Sequence, residues 1–145
     1  MGTEIDAYAG SATENAVDKL ASGKATVFST ITGDDFETKM LVLEATTASF
    51  PLAEHLNKKI ELANVVVQVI DMVNEDTGAV ESVPRSILID KSGTAYHAIS
   101  SGVFKSLENI FGILGQPSEW AAPVSVKCVR GGSGTRQYMT LVPAK

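Results

Sequence analysis

Ile60-Glu61-Leu62-Ala63-Asn64-Val65-Val66-Val67-Gln68-Val69-Ile70-Asp71 is the stretch on which the fold turns. Nine of its twelve residues are apolar or asparagine and four are valine, a density of β-branched side chains that favours a buried strand over a helix. Asn74-Glu75-Asp76-Thr77-Gly78 then collects turn formers, and Val80 to Asp90 resumes an extended pattern, so the two runs read as a hairpin. Asp90-Lys91-Ser92-Gly93 follows Ile87-Leu88-Ile89 directly, and Gly93 can take the left-handed conformation that a three-residue hairpin loop needs. Thr94 to Ser100 is therefore expected as a third strand.

From Gly102 the apolar period lengthens from two to between three and four. Val103, Phe104, Leu107, Ile110, Phe111 and Leu114 fall on one helical face, with Lys105, Ser106, Glu108 and Asn109 on the other. Gly115 and Pro117 end that helix. Two further strands follow, in which Val124, Val126 and Cys128 alternate with Ser125 and Lys127, and Met139 and Leu141 alternate with Tyr138 and Thr140. Facing residues share a side. Pairing Val126 with Met139 and Lys127 with Tyr138 meets that condition, leaves Gly131-Gly132-Ser133-Gly134 as the loop, and gathers Ser125, Lys127, Arg136 and Tyr138 on the outward face. The order β-β-β-α-β-β is that of a five-stranded OB-fold-like barrel, an architecture that often binds single-stranded nucleic acid.

Upstream of the barrel the chain is helical or irregular. Residues 1 to 25 are rich in Ala, Ser, Thr and Gly, and a short helix over Thr13 to Ala21 has only a weak apolar face. This reads as an acidic arm that orders only against a partner or the barrel, leaving residues 26 to 145 as one domain. Val27 to Ile31 predicts a short strand, and Thr32-Gly33-Asp34-Asp35 caps a helix over about Phe36 to Thr46. One further helical turn is expected within Leu52 to Asn57.

The chain has 145 residues, enough for one domain with a buried core. Its single cysteine, Cys128, excludes a disulfide framework and suits a reducing compartment. No apolar run approaches the about 18 residues of a membrane span, and the first 30 residues lack a basic start followed by an apolar block. A soluble protein that is not exported is expected. The net charge of −5 counts against a nucleic-acid binder until its distribution is read. Residues 1 to 57 carry nine acids and three bases, whereas residues 58 to 145 carry nine bases and eight acids. After Trp120 every charge is basic: Lys127, Arg130, Arg136 and Lys145.

Catalysis finds little support. His55 and His97 lie on different elements, Cys128 is the only thiol, and no three or four ligands stand at zinc spacing, so neither a catalytic site nor a metal or cofactor is expected. Single-strand binding asks instead for aromatic faces on which bases stack and cations along the backbone track. Tyr138 beside Lys127, with Arg136 on the same side, supplies both, and Lys91 and Arg130 add cations. Tyr96 points outward if Ile99 is buried and inward if it is not. Arg85 follows a proline that marks a bulge or strand edge, and either reaches phosphates or pairs with an acid such as Glu81. Trp120, Phe50, Phe104 and Phe111 are assigned to the core.

The run Pro84-Arg85-Ser86-Ile87-Leu88-Ile89-Asp90-Lys91-Ser92-Gly93-Thr94-Ala95-Tyr96-His97-Ala98-Ile99-Ser100, then Gly102-Val103-Phe104 and Gly115-Gln116-Pro117-Ser118-Glu119-Trp120, resembles small single-stranded DNA-binding proteins of tailed bacteriophages. The likeness continues upstream through Pro51 to Asn57 and more loosely to about Val27. It implies a non-enzymatic protein that coats displaced strands during phage DNA replication or recombination in the bacterial host cytoplasm, with single-stranded DNA and replication proteins as partners. Pro84, Arg85, Asp90, Gly93, Tyr96, Ser100, Gly115, Pro117 and Trp120 are the positions that carry over. The chain departs from many single-strand binders at its end, Val142-Pro143-Ala144-Lys145, where they carry an acidic tail. The candidate nucleic-acid-binding residues are thus Arg85, Lys91, Tyr96, Lys127, Arg130, Arg136 and Tyr138, and the competing class is a structural or assembly module.

Overall fold

The computed structural model describes residues 27–132, 134 and 137–144. Its elements in order are β1 (Val27–Ser29), α1 (Phe36–Thr47), β2 (Phe50–Pro51), a 3-10 turn (Leu52–Glu54), β3 (Ile60–Val73), β4 (Val80–Asp90), β5 (Ala95–Ala98), α2 (Ser101–Leu114), a second 3-10 turn (Pro117–Glu119), β6 (Val124–Gly131) and β7 (Tyr138–Pro143). The sheet has seven strands, not five, because β2 and β1 join the five long strands. Its order is β2-β5-β4-β3-β6-β7, with β1 on β3.

β3 organises the sheet. One edge pairs with β4 along most of its length, while the other edge is shared by β6 at Ile60–Leu62 and β1 at Val66–Gln68. An irregularity between Leu62 and Asn64 shifts the register, so Ile60 and Leu62 face the same interior as Val65. That interior also receives Tyr96 of β5 and Leu141 of β7, four strands apart in the order, so the sheet curls around it as a half-barrel. β5 and β7 do not pair with each other. Val103 and Leu107 of α2 fill the gap between them.

Gly102 explains how closely α2 seats: a Cβ there would collide with the Met139 carbonyl of β7. Ser100, expected at the end of the third strand, leaves it to cap α2, its hydroxyl accepting from Val103 N at 3.2 Å. The strand accordingly stops at Ala98.

The outer face of β3, β4 and β5 is covered as well. Val66, Ile87, Ile89 and Ala95 pack against Ala45 and Val42 of α1 and against Ile31. Asp35 caps α1, its carboxylate accepting from Thr38 N at 3.2 Å. With both faces buried, β5 does not alternate between core and solvent. Ala95, Tyr96 and Ala98 are each 5% exposed or less, while Ile99, beyond the strand, is open.

The last hairpin differs from expectation in register. Val126 pairs with Pro143, Lys127 with Val142, Cys128 with Leu141, Arg130 with Met139 and Gly131 with Tyr138. Parity restricts which residues share a side but permits shifts by pairs. The longer ladder satisfies more backbone groups and leaves residues 132–137 as the connection. The acidic arm, residues 1 to 25, lies outside the described residues, and so do Arg136 and Lys145. No described helix is long and apolar enough to cross a membrane.

Candidate nucleic-acid interface

Tyr138 opens β7 and is 55% exposed. Its ring lies over Gly131, where a Cβ would meet Cζ at 2.7 Å. Around it an open depression of about 490 Å³ is walled by Arg130, Gln137 and Met139 of the hairpin and by Ser100, Ser101 and Gly102 at the head of α2. An exposed ring, an arginine and a helix N-terminus therefore line one depression. That combination suits a base and its phosphate.

A second aromatic group lies at the other end of the sheet. Phe50, expected in the core, is 52% exposed, because two-residue β2 ends the sheet and, among the described residues, pairs with β5 alone. Its ring meets His55 edge-on at 6.0 Å, and both rest against Tyr96, at 6.5 and 5.2 Å. Lys58 Nζ stands 5.7 Å from the Tyr96 ring. Asn57 N donates to Cys128 O at 2.8 Å, which brings the loop carrying Lys58 and Lys59 against β6 beside Lys127. Lys59 in turn pairs with Glu61 at 3.4 Å.

The candidate residues of the sequence separate into groups. Tyr138 and Arg130 meet at one depression. Lys127 stays on the Tyr138 side of the hairpin, but four residues from Gly131 along β6, about 13 Å, so the expected Tyr138–Lys127 neighbours are apart. Tyr96 is only 3% exposed, which removes it as a stacking surface and makes it the floor beneath Phe50 and His55. Arg85 is held internally: Nη1 donates to Gln68 Oε1 at 2.8 Å and to Thr46 O at 3.1 Å, and Nη2 donates to Ser49 Oγ at 3.3 Å. It ties α1 to β3 and β4 and has no bond to Glu81. Lys91 lies exposed in the β4–β5 turn, its N–H bound to Glu61 O at 2.9 Å, at the Ser125 end of β6. Arg136 lies outside the described residues. Sequence reading missed Phe50, His55, Lys58 and Lys59 as site residues, since β2's place at the sheet edge exposes Phe50 and the β3–β6 pairing with the Asn57–Cys128 bond brings Lys58 and Lys59 to β6.

Three carboxyls near the sheet and α1 sit below their ordinary values. Ser125 Oγ donates to Glu61 at 2.5 Å, and this bond lowers the Glu61 carboxyl. Burial works to raise Asp90, but the N–H groups of Ser92 and Glu61, at 2.9 and 2.8 Å, outweigh it. Asp35 is lowered by its bonds to Thr38. His97 is lowered first by burial and then by the Arg85 charge, with Glu54 and the Ser49 bond acting the other way. Its Nδ1 lies 2.7 Å from Ser49 Oγ, so His97 belongs to the packing of α1.

A curled sheet with an exposed ring at β7, a second at β2 and cations near β6 has the features of a protein that binds extended, anionic, base-bearing ligands. The family of phage single-stranded DNA-binding proteins, of the Phi29 type, matches over residues 21–142, and the chain belongs to it. The family is one of DNA-binding, non-catalytic proteins, and membership implies single-stranded DNA binding. No curated protein and no solved structure matches the chain.

Proposed function

We propose that this protein coats single-stranded DNA with little base preference, protecting displaced strands during phage DNA replication or recombination in the host cytoplasm. Bases stack on Tyr138 and Phe50, while Lys58, Lys59, Lys127 and Arg130 meet phosphates, with Lys91 and Arg136 as further cations at the margins. The observation that carries this reading is the Tyr138 ring, open to solvent above Gly131 and beside Arg130. Its setting supports the choice of surface. α1 covers the outer side of β3, β4 and β5, which leaves the β6–β7 side and its loops for a ligand. The order β5-β4-β3-β6-β7, with α2 between β5 and β6, supports an OB-fold reading, in which the loop after the fourth barrel strand borders the ligand. Phage replication proteins are the partners this role requires.

The test is fluorescence anisotropy of a labelled oligo-dT of about 30 nucleotides, long enough for several binding sites, at low and moderate salt beside a duplex control. Tight, salt-sensitive binding to the single strand alone is expected. Equal binding to duplex, or none at low salt, would reject the reading.

One observation favours a second reading, an assembly module: Phe36, Met40 and Leu43 form an exposed apolar stripe along α1. Large assemblies in size-exclusion chromatography without DNA would support it.

A further inference from the structure

One edge of β7 pairs with β6, and among the described residues no strand pairs with the other. α2 lies along that second edge. A Cβ on Gly102 would collide with the Met139 carbonyl, so helix and strand backbones touch there. One helical turn further on, Leu141 N donates to Ser106 Oγ at 3.1 Å, and Ser106 Oγ donates in turn to Gly102 O at 2.8 Å. Four residues of helix rise about 6 Å and two residues of strand about 6.7 Å, so the two contacts keep step along α2 and β7. The Ser106 hydroxyl thus does for the Leu141 N–H what a neighbouring strand would do. Among the described residues it makes the one hydrogen bond between α2 and the sheet.

Those contacts bear on the depression around Tyr138. Tyr138 and Met139, at the start of β7, form one of its walls, and Ser100, Ser101 and Gly102, at the head of α2, form another. Ser106 joins the two, through Gly102 O on the helix side and Leu141 N on the strand side. Building on the stacking of bases on Tyr138 proposed above, which it presupposes, we propose that Ser106 is a positioning residue of the nucleic-acid interface. Its hydroxyl holds the head of α2 in register with β7, which sets the gap between Tyr138 and the helix N-terminus into which a nucleotide fits. Ser106 itself is half-buried one turn behind that gap and does not line it. Without the bond, Gly102 still limits how closely α2 approaches, but no other hydrogen bond stops the helix from sliding along β7.

Ser106→Ala in the full chain, beside Ser106→Thr, which keeps the hydroxyl, tests this by oligo-dT anisotropy well below the melting midpoint. Alanine is a strong helix former, so the helix itself is preserved. Ser106→Ala should weaken binding about threefold to tenfold, the span of one hydrogen bond's net contribution, and Ser106→Thr should restore most of the affinity. A double-mutant cycle separates positioning from general loosening. Added to Tyr138→Ala, Ser106→Ala should cost little more, because the ring it positions is gone, whereas added to Phe50→Ala it should cost its full factor. Unchanged affinity in Ser106→Ala, or an equal loss in both backgrounds, would overturn the proposal. An unmodified chain that fails to bind oligo-dT would reject the binding reading instead, and nuclear magnetic resonance without DNA then decides the positioning. The Gly131 proton resonances, under the Tyr138 ring, should move in Ser106→Ala and return in Ser106→Thr, and resonances unmoved in Ser106→Ala would overturn it.

Discussion

The ring of Tyr138 rests on the backbone of Gly131, its partner across the β6–β7 ladder, so closely that only glycine leaves room for it. Gly131 therefore orients the most exposed aromatic group of the proposed interface. Gly131→Ala should weaken binding to oligo-dT in the same direction as Tyr138→Ala, which should cost about 1–3 kcal/mol for all bases alike. Thermal midpoints should move little in Tyr138→Ala, because half the ring already meets solvent. Wild-type affinity in both variants would exclude Tyr138 as a stacking surface.

Phe50 and Tyr96 touch, yet their substitutions should separate cleanly. Phe50→Ala removes a half-exposed ring and should reduce DNA affinity by about 1–3 kcal/mol with a minor stability loss. Tyr96→Ala empties a core position and should lower unfolding free energy by about 3–5 kcal/mol, as for other buried aromatic residues. Paired urea melts and anisotropy titrations measure both effects. A Phe50→Ala protein that binds normally would confine the interface to the Tyr138 end.

Salt should act steeply. With about four cations on phosphates, here Lys58, Lys59, Lys127 and Arg130, log affinity falls with log salt at a slope near −3, about 50-fold between 50 and 200 mM. Lys127→Ala should make the slope shallower by about 0.7. An unchanged slope would place Lys127 off the phosphate track.

Acid should weaken the fold in two stages. His97 titrates below its ordinary value, so the stability it confers is complete above about pH 6.5 and declines as pH falls through the lower folded value. Asp35, Glu61 and Asp90 are also held low. Their contribution is complete above the ordinary carboxylate range, near pH 4, and is lost as pH drops through their folded values. Thermal melts followed from pH 8 to pH 3 should show both declines, and His97→Gln should abolish the upper one. Persistence of the upper decline in that variant would assign it to another group.

Much of this was legible along the chain because it depends on local pattern. Valine density marked β3, the period change at Gly102 marked α2, and Asn74–Gly78 and Asp90–Gly93 marked the turns; the last glycine takes φ 95°. Tyr138 and Arg130 were readable as an exposed ring and a cation near a hairpin end. The register of β6 and β7 was not readable, because period-two alternation is unchanged by a shift of two residues on one strand. Nor could the strand pattern show that Tyr96 is buried, since α1 covers the second face of β5.

The sequence by itself determined the order of β3, β4, β5, α2, β6 and β7, the Asp34-Asp35 start of α1, the Gly115 end of α2 and the family, because each is written in neighbouring residues or in a run of them. Only the tertiary structure decided which rings and cations share a surface. Phe50 is open because β2 lies outermost, and Arg85 is occupied because α1 docks above it. Lys58 and Lys59 reach β6 because the Asn57–Cys128 hydrogen bond on one side and the Ile60–Val126 pair on the other hold them there. Those outcomes depend on contacts between segments tens of residues apart, whose geometry emerges when the sheet curls around one core and α1 covers the outer side of β3, β4 and β5.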